Sequence, residues 1–145
     1  MPSDEDVTPI LQLYSSLKFT PPPGQYTVAA SFFLTSASAP RTTKIISLAT
    51  GTKCLPTARY PLKGEALHDS HAEILARRGA IYWFFTEIRR CQSSSSAGAE
   101  PYESPWIYRL PDGKYDLRED VQVNLYISTP PCQNIRFLAQ ISFIQ

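Results

Sequence analysis

The chain has 145 residues, which is enough for one domain with its own core and too few for two ordinary domains. Apolar residues make up 43% of the sequence and charged residues 19%, which is typical of a globular protein and not of a disordered one. The net charge of +1 excludes a broad basic surface, so any contact with nucleic acid has to be local.

Cysteine usage and the absence of targeting signals indicate the compartment. Cys54, Cys91 and Cys132 are an odd number at irregular spacing, which argues against a disulfide framework. The N-terminus lacks the order of a signal peptide, and no apolar run approaches the roughly 18 residues of a membrane span. We therefore expect reduced or metal-bound thiols, a cytoplasmic or nuclear location and no membrane partner.

In chain order, a polar N-terminus precedes a helix and two strands. Residues 1–6 are predicted to be loose, and apolar residues with a period near 3.6 predict a helix from Val7 to Phe19. Two β-branched and aromatic runs, Tyr26–Leu34 and Thr43–Ala49, predict an antiparallel pair covered on both faces. The next stretch, Thr50-Gly51-Thr52-Lys53-Cys54-Leu55-Pro56, reads either as an ordinary turn or as a place where the backbone approaches a ligand closely.

A long amphipathic helix is predicted from Leu67 to Arg90. Its predicted core-facing stripe consists of Ile74, Leu75, Ile81, Tyr82, Phe85 and Ile88. His71 and Arg78 fall in the same stripe, and polar groups directed at a core need partners there. Ser70 and Glu73 have the spacing of a capping box, so this segment starts either an ordinary capped core helix or a functional site.

The C-terminal half is predicted to hold a loop, a hairpin, a strand and a second helix. Residues 92–104 are rich in Ser, Gly and Ala and predict a flexible loop. Trp106–Leu110 and Lys114–Leu117 flank a Pro-Asp-Gly turn, and Val121–Ile127 alternates as a half-exposed strand does. With a helix predicted over Asn134–Ile144, this order indicates a single three-layer α/β domain with helices against a mixed sheet.

His71, Glu73 and Cys132 combine into a pattern with chemical meaning. His71 and Cys132 are each predicted at the start of a helix, and a neutral imidazole and a thiolate are both good zinc ligands. Glu73 lies about 200° round the helix from His71, so it would reach a metal-bound water and not the metal. A histidine ligand, a non-ligating glutamate and a later Pro-Cys are the front of the zinc nucleobase-deaminase signature.

Three motifs resemble those of the adenosine deaminase domain acting on RNA, most closely its tRNA-specific branch. They are Thr50-Gly51-Thr52-Lys53-Cys54-Leu55, the segment from Leu67 to Arg78 around His71-Ala72-Glu73, and Leu125-Tyr126-Ile127-Ser128-Thr129-Pro130-Pro131-Cys132. The resemblance implies a cytidine-deaminase-like fold, with a mixed sheet and helices on both faces. It also implies hydrolytic conversion of adenosine to inosine in RNA, with tRNA favoured, and no protein partner.

The same resemblance implies roles for individual residues. His71 and Cys132 would be zinc ligands, Glu73 the proton shuttle, and Thr52 a contact to the substrate nucleotide. Four further residues would line the pocket of a buried inositol hexakisphosphate, namely Lys53, Ile74, Arg77 and Arg78. The alternative for Arg77 and Arg78 is a solvated helix face or a glutamate partner.

The chain also departs from the family pattern after Cys132. Gln133-Asn134 stands where the family usually has Gly-Asp, and residues 133–145 are predicted to be a divergent tail. The family's third zinc ligand is a later cysteine, and neither Cys54 nor Cys91 is expected to replace it. We therefore expect the C-terminal part of the domain to be missing. The alternative function is a catalytically inactive fragment that at most binds RNA.

Overall fold

The computed structural model describes residues 4–38, 40–61, 63–93 and 102–129. In chain order, its α-helices and strands are α1 (Asp4–Ser16), β1 (Ala29–Ser36), β2 (Thr42–Thr50), β3 (Thr52–Cys54), β4 (Asp69–His71), α2 (Ala72–Ser93), β5 (Ile107–Arg109), β6 (Tyr115–Leu117) and β7 (Val121–Ile127). A short 3-10 helix, Thr57–Arg59, lies between β3 and β4.

The central sheet has three strands in the order β2-β1-β7. Both neighbours of β1 run antiparallel to it, so β2 and β7 point in the same direction on either side. The middle strand, β1, is buried along almost its whole length, as its apolar sequence predicts for a strand covered on both faces. The polar residue Ser31 is fully buried there, and its hydroxyl donates to the Ser47 carbonyl over 2.8 Å.

Small residues on α2 let this helix lie close to the sheet. Ala72, Ala76 and Ala80 are buried against a cluster that contains Ala30 and Phe32 of β1. At Gly79, an added Cβ would lie 2.9 Å from the Cβ of Ser47, so the helix axis could not come as near with a larger residue there. This contact fixes α2 on one face of the sheet.

The buried face of α2 therefore differs from the predicted stripe. The buried residues of α2 are Ala72, Ala76, Ala80, Phe84 and Glu87. Tyr82 and Phe85 of the predicted stripe are instead 75% and 68% exposed. Arg78 is exposed too, so the expectation that it faces the core is wrong. The other four members of the stripe are half-buried, so the buried face is displaced from the predicted one toward the small residues, namely Ile74, Leu75, Ile81 and Ile88 against Ala72, Ala76 and Ala80.

The first helix covers the opposite face of the sheet. Asp6 on α1 is only 2% exposed; it accepts hydrogen bonds from Arg41 over 2.6 Å and from Thr43 over 3.0 Å. Thr43 pairs with Thr35 on the face of β1 that carries Phe33, away from α2. The helix begins at Asp4 and not at Val7, so residues 4–6 are not loose as predicted. The α/β architecture with helices on both faces of a sheet is confirmed.

Glu87 anchors the chain that returns after α2. Its Oε1 accepts hydrogen bonds from the hydroxyls of Tyr102 and Ser104 over 2.8 and 2.7 Å, and Arg90 contacts Oε2 at 3.1 Å. A buried carboxylate with three donors is satisfied and fixes the geometry of that return. The predicted flexible loop over 92–104 is thus wrong at both ends. Its first two residues are helical and Ser104 is buried, while residues 94–101 lie outside the described part.

The predicted hairpin and the last strand are confirmed. β5 and β6 pair antiparallel around the Pro-Asp-Gly turn, and β7 has the predicted bounds, Val121–Ile127. The predicted helix over Asn134–Ile144 lies outside the described residues. Among the residues that the structure describes, no helix is both long and apolar enough to cross a membrane.

Gly79→Ala is expected to lower the free energy of unfolding by about 1–3 kcal/mol, because the new methyl group would overpack against Ser47. At an unhindered helix position the same substitution stabilises the folded protein by up to about 1 kcal/mol. A loss of stability would therefore report the close contact with Ser47 and not the helix propensity of alanine. Urea unfolding of the Gly79→Ala and Ser47→Gly/Gly79→Ala proteins measures it. The double variant should recover stability, whereas a stabilised single variant would contradict this packing.

Candidate metal and catalytic site

A two-stranded ribbon formed by β3 and β4 gathers the polar residues near the start of α2. The ribbon pairs Thr52 with His71, Lys53 with Ser70 and Cys54 with Asp69. Side chains alternate between the faces of a strand, and directly paired residues share a face. Thr52, Cys54, Asp69 and His71 therefore lie on one face of the ribbon, and Lys53 and Ser70 on the other.

Gly51 makes this ribbon possible. A Cβ at this position would lie 1.8 Å from the Ser70 carbonyl oxygen, which is backbone and cannot move aside. The Gly51 carbonyl accepts a hydrogen bond from the Ala72 amide over 3.2 Å. The Leu55 amide donates to the backbone carbonyl of His68 over 2.7 Å. The glycine between two threonines is thus required by the approach of two backbones, one of which leads into α2.

Three potential metal ligands converge on one face of the ribbon. His71 Nδ1 lies 2.8 Å from Asp69 Oδ1 and 3.2 Å from Cys54 Sγ. The Asp69 carboxylate also accepts a hydrogen bond from the His71 amide over 2.9 Å, which fixes its orientation. One donor atom from each residue lies within 4.8 Å of the other two. We call Cys54, Asp69 and His71 the β3–β4 triad.

The charges around the triad shift its acid–base behaviour. Hydrogen bonds from the amide and ring of His71 lower the pKa of Asp69 below its usual value. Its contribution to stability is therefore present above the ordinary carboxyl pKa of about 3.9 and is lost as the pH falls through the lowered value. Loss of solvation and the carboxylates of Asp69 and Glu73 raise the pKa of Cys54. Without a cation, Cys54 is therefore a neutral thiol at pH 7.

His71 does not lie in the first turn of the helix, as the sequence predicted, but ends β4 immediately before α2 begins at Ala72. Glu73 lies in the first helical turn and is half-buried. Thr52 is opposite His71 on the ribbon. Cys132 lies outside the described residues, so its predicted approach to His71 within about 4 Å stays a prediction.

Of the four residues predicted to bind a polyphosphate, two line a common cavity and two do not. Ile74 and Arg78 line a cavity of about 470 Å³ together with Glu65, His68 and Asp69, and the ring of Tyr60 stacks on His68 at 4.0 Å. Lys53 and Arg77 are exposed and are not among the lining residues of this cavity. The cavity adjoins the β3–β4 triad through Asp69, which belongs to both.

The donors of the triad suit a zinc ion. Thiolate, imidazole and carboxylate are the three ligand types that zinc takes in proteins, and here they come from two adjacent short strands. Asp69 was not among the predicted site residues and Cys54 was not expected to be a ligand, because the sequence predicted a turn at Thr50–Pro56 and a helix that already began at Leu67. The available signal was Gly51 between two threonines, which the sequence already marked as a place where the backbone could be approached closely.

Comparisons with known proteins agree with the motifs. A family model described as the adenosine-deaminase (editase) domain matches residues 47–142, which extends into the predicted divergent tail. The double-stranded RNA-specific editase B2 of Rattus norvegicus is 33% identical over 107 residues, and the double-stranded RNA-specific editase Adar of Drosophila melanogaster is 34% identical over 99. The tRNA-specific adenosine deaminase 1 of Saccharomyces cerevisiae is 35% identical over 102 residues.

These alignments cover 74%, 66% and 70% of this chain, in the same order. They cover only 14% of the rat and fly relatives and 23% of the yeast relative. Identity is similar for the editases and for the tRNA deaminase, so it does not select between their substrates.

In metal-free protein, Asp69→Asn is expected to lower the pKa of the Cys54 thiol, because the substitution removes a nearby negative charge. The pH dependence of alkylation at Cys54, followed by peptide mass spectrometry, measures this change, and Cys91 in the same molecule is the internal control. An unchanged Cys54 profile would mean that the Asp69 carboxylate does not face the sulfur.

Proposed function

Because this chain belongs to the adenosine-deaminase (editase) domain family, we propose that it catalyses the hydrolytic deamination of adenosine to inosine in RNA. The observation that carries the proposal is the junction of β4 and α2, where His71 and Glu73 lie two residues apart beside Thr52 and Cys54. A base on a helix start next to metal ligands is the arrangement that this chemistry needs.

Each predicted site residue has a proposed task. His71 and Cys132 would hold a zinc ion, which when bound lowers the pKa of water toward about 7 and so supplies hydroxide at neutral pH. Glu73 accepts the proton of the attacking water, delivers it to the adjacent adenine ring nitrogen and assists the departure of ammonia. Thr52 contacts the substrate nucleotide through its hydroxyl.

Within RNA, we propose tRNA as the substrate, and this part of the proposal is supported by the resemblance of the three sequence motifs to the tRNA-specific branch of the family. The adenosine has to leave its stack in the tRNA loop to reach the junction. Double-stranded RNA is the competing candidate substrate, because the rat and fly relatives are double-stranded RNA-specific editases. We further propose that the protein acts in the cytoplasm or nucleus, where thiols such as Cys54 stay reduced.

Inositol hexakisphosphate is the proposed structural cofactor. Arg78 and Ile74 line the cavity beside α2, and a guanidinium binds phosphate through two parallel hydrogen bonds. Glu65 and Asp69 also line it, so the described lining carries two carboxylates against one guanidinium. A polyanion at this cavity therefore needs further cations. Arg77, exposed beside Arg78 on α2, is the candidate, whereas Lys53 lies on the ribbon face opposite Asp69.

Glu73→Gln is expected to reduce inosine formation by about 10²–10⁴-fold, because the amide cannot carry the proton. Zinc content should stay at the wild-type level, since Glu73 is the shuttle and not a ligand. The assay measures inosine in tRNA and in double-stranded RNA, with exposed Glu103→Gln as the matched control. Loss of zinc in Glu73→Gln would show that Glu73 helps to bind the metal, and its proposed role as the shuttle would be wrong. No inosine from the wild-type chain on either RNA would reject the proposed function.

Arg78→Met is expected to weaken inositol hexakisphosphate binding by about 10–100-fold, the effect of losing charge-assisted hydrogen bonds. A ligand that binds only the folded state raises the melting temperature, so thermal unfolding at increasing ligand concentration reports the affinity. Arg89→Met removes an exposed arginine from the same helix, away from the cavity, and should respond like the wild type. An equal response of both variants would refute the proposed binding site.

A further inference from the structure

We propose that the stacked rings of Tyr60 and His68 form a platform on which an unpaired base of the RNA substrate stacks, next to the adenosine that is deaminated. The inference deepens the proposed function, and it rests on that function for RNA as the ligand. It assigns a positioning role to two residues that lie outside the predicted site and take no part in the proposed proton transfer.

The first argument is the geometry of the two rings. Their centroids lie 4.0 Å apart and their planes differ by only 6°, so the rings stack face to face. Tyr60 is 42% exposed, and His68 is exposed as well. Unstacked RNA bases bind to flat aromatic side chains, tyrosine and histidine among them. An unpaired base can therefore extend this stack as its third member.

The second argument is that the core does not account for the stack. The 3-10 helix Thr57–Arg59, which directly precedes Tyr60, contains no buried residue. Within the described residues, neither Tyr60 nor His68 belongs to the hydrophobic cluster between α2 and the central sheet. The two rings are therefore held together at the surface, where a ligand can reach them.

The third argument is that both rings are ordered before a ligand arrives. Tyr60 follows a 3-10 turn that lies between Pro56 and Pro61, and a proline ring fixes the backbone φ angle at each end. His68 is fixed by its backbone carbonyl, which accepts a hydrogen bond from the Leu55 amide over 2.7 Å. A platform that is ordered in advance loses less conformational entropy on binding, which strengthens binding.

The fourth argument is the charge around the platform. Residues 53–68 contain three cations, Lys53, Arg59 and Lys63, against one acid, Glu65, so the segment has a net charge of +2 in a chain of net charge +1. All three cations are exposed. Cations beside aromatic rings are the pattern that binds single-stranded RNA, because they contact the phosphates between the stacked bases. The segment that carries the platform thus provides the local basic surface that RNA binding requires.

The platform also lies within reach of the proposed catalytic junction. His68 is three residues before His71, and a chain spans at most about 3.6 Å per residue, so their Cα atoms are within about 11 Å of each other. The base of a neighbouring nucleotide can therefore rest on the platform while the adenosine lies at the junction. This contact offsets part of the cost of taking the adenosine out of its stack.

The test measures binding of an RNA stem-loop whose unpaired loop contains the target adenosine. Tyr60→Ala is expected to weaken binding by about 5–150-fold, the effect of losing one base–aromatic stacking contact. His68→Ala should act in the same direction. Tyr60→Phe is the matched control, since it keeps the flat ring and should bind the RNA like the wild type.

A second RNA shows whether the ring acts on a base. In this RNA the base next to the adenosine is removed, first on one side and then on the other, while every phosphate stays in place. One of these removals should weaken wild-type binding by a similar factor and have no further effect on Tyr60→Ala, because the contact is already absent. If Tyr60 only stabilised its loop, the two losses would multiply.

A third measurement needs no variant that could misfold. An RNA with 5-iodouridine next to the adenosine is irradiated in complex with the wild-type chain, and the cross-linked peptide is identified by mass spectrometry. The cross-link should fall on Tyr60 or His68, because the iodinated base reacts with an aromatic ring on which it stacks.

The proposal is overturned if Tyr60→Ala binds the stem-loop like the wild type, if the two losses multiply, or if the cross-link falls elsewhere in the chain. A wild type that does not bind the stem-loop overturns it too. Inosine formation together with unchanged binding by Tyr60→Ala would reject the platform and leave the proposed function standing. Losses that do not multiply, in a wild type that forms no inosine, would do the reverse.

Discussion

The contact between the backbones of Gly51 and Ser70 is the constraint on which the site depends. Only a residue without a Cβ lets these two segments pair, because the opposing atom is a carbonyl oxygen 1.8 Å from where a Cβ would be. This contact brings the strand that leaves β2 alongside the strand that enters α2. Residues about 17 positions apart in the chain, Cys54 and His71, thereby become neighbours. The chemistry of the site is thus a consequence of one tight backbone approach.

A second close approach, between α2 and β2, sets the orientation of that helix. Alanines and Gly79 face the sheet, and the larger Tyr82 and Phe85 face outward. A helix packed through small residues lies nearer the sheet, and the start of α2, with Glu73, continues directly from β4 of the ribbon. The two glycines therefore act together, since one positions the ribbon and the other positions the helix that continues from it.

Sequence reasoning succeeded where a single side-chain period dominated. The alternation in Val121–Ile127, the β-branched runs of β1 and β2 and the Pro-Asp-Gly turn each predicted the observed element. It failed on α2 because burial there is decided by how close the helix comes to the sheet and not by hydrophobicity. It also missed β3 and β4, since three residues are too few to show a period. Because those strands were not predicted, Asp69 and Cys54 were not recognised as neighbours of His71.

The charges around the β3–β4 triad oppose ionisation of the Cys54 thiol. Asp69 and Glu73 raise the pKa of Cys54 and so oppose a second negative charge at the sulfur when no cation is present. The same carboxylates attract a dication, whose charge reverses the balance and stabilises the thiolate. Coupling between thiol ionisation and cation binding therefore follows from the placement of two acids beside one cysteine. A neutral residue at position 69 would remove one of these two charges and so favour the thiolate.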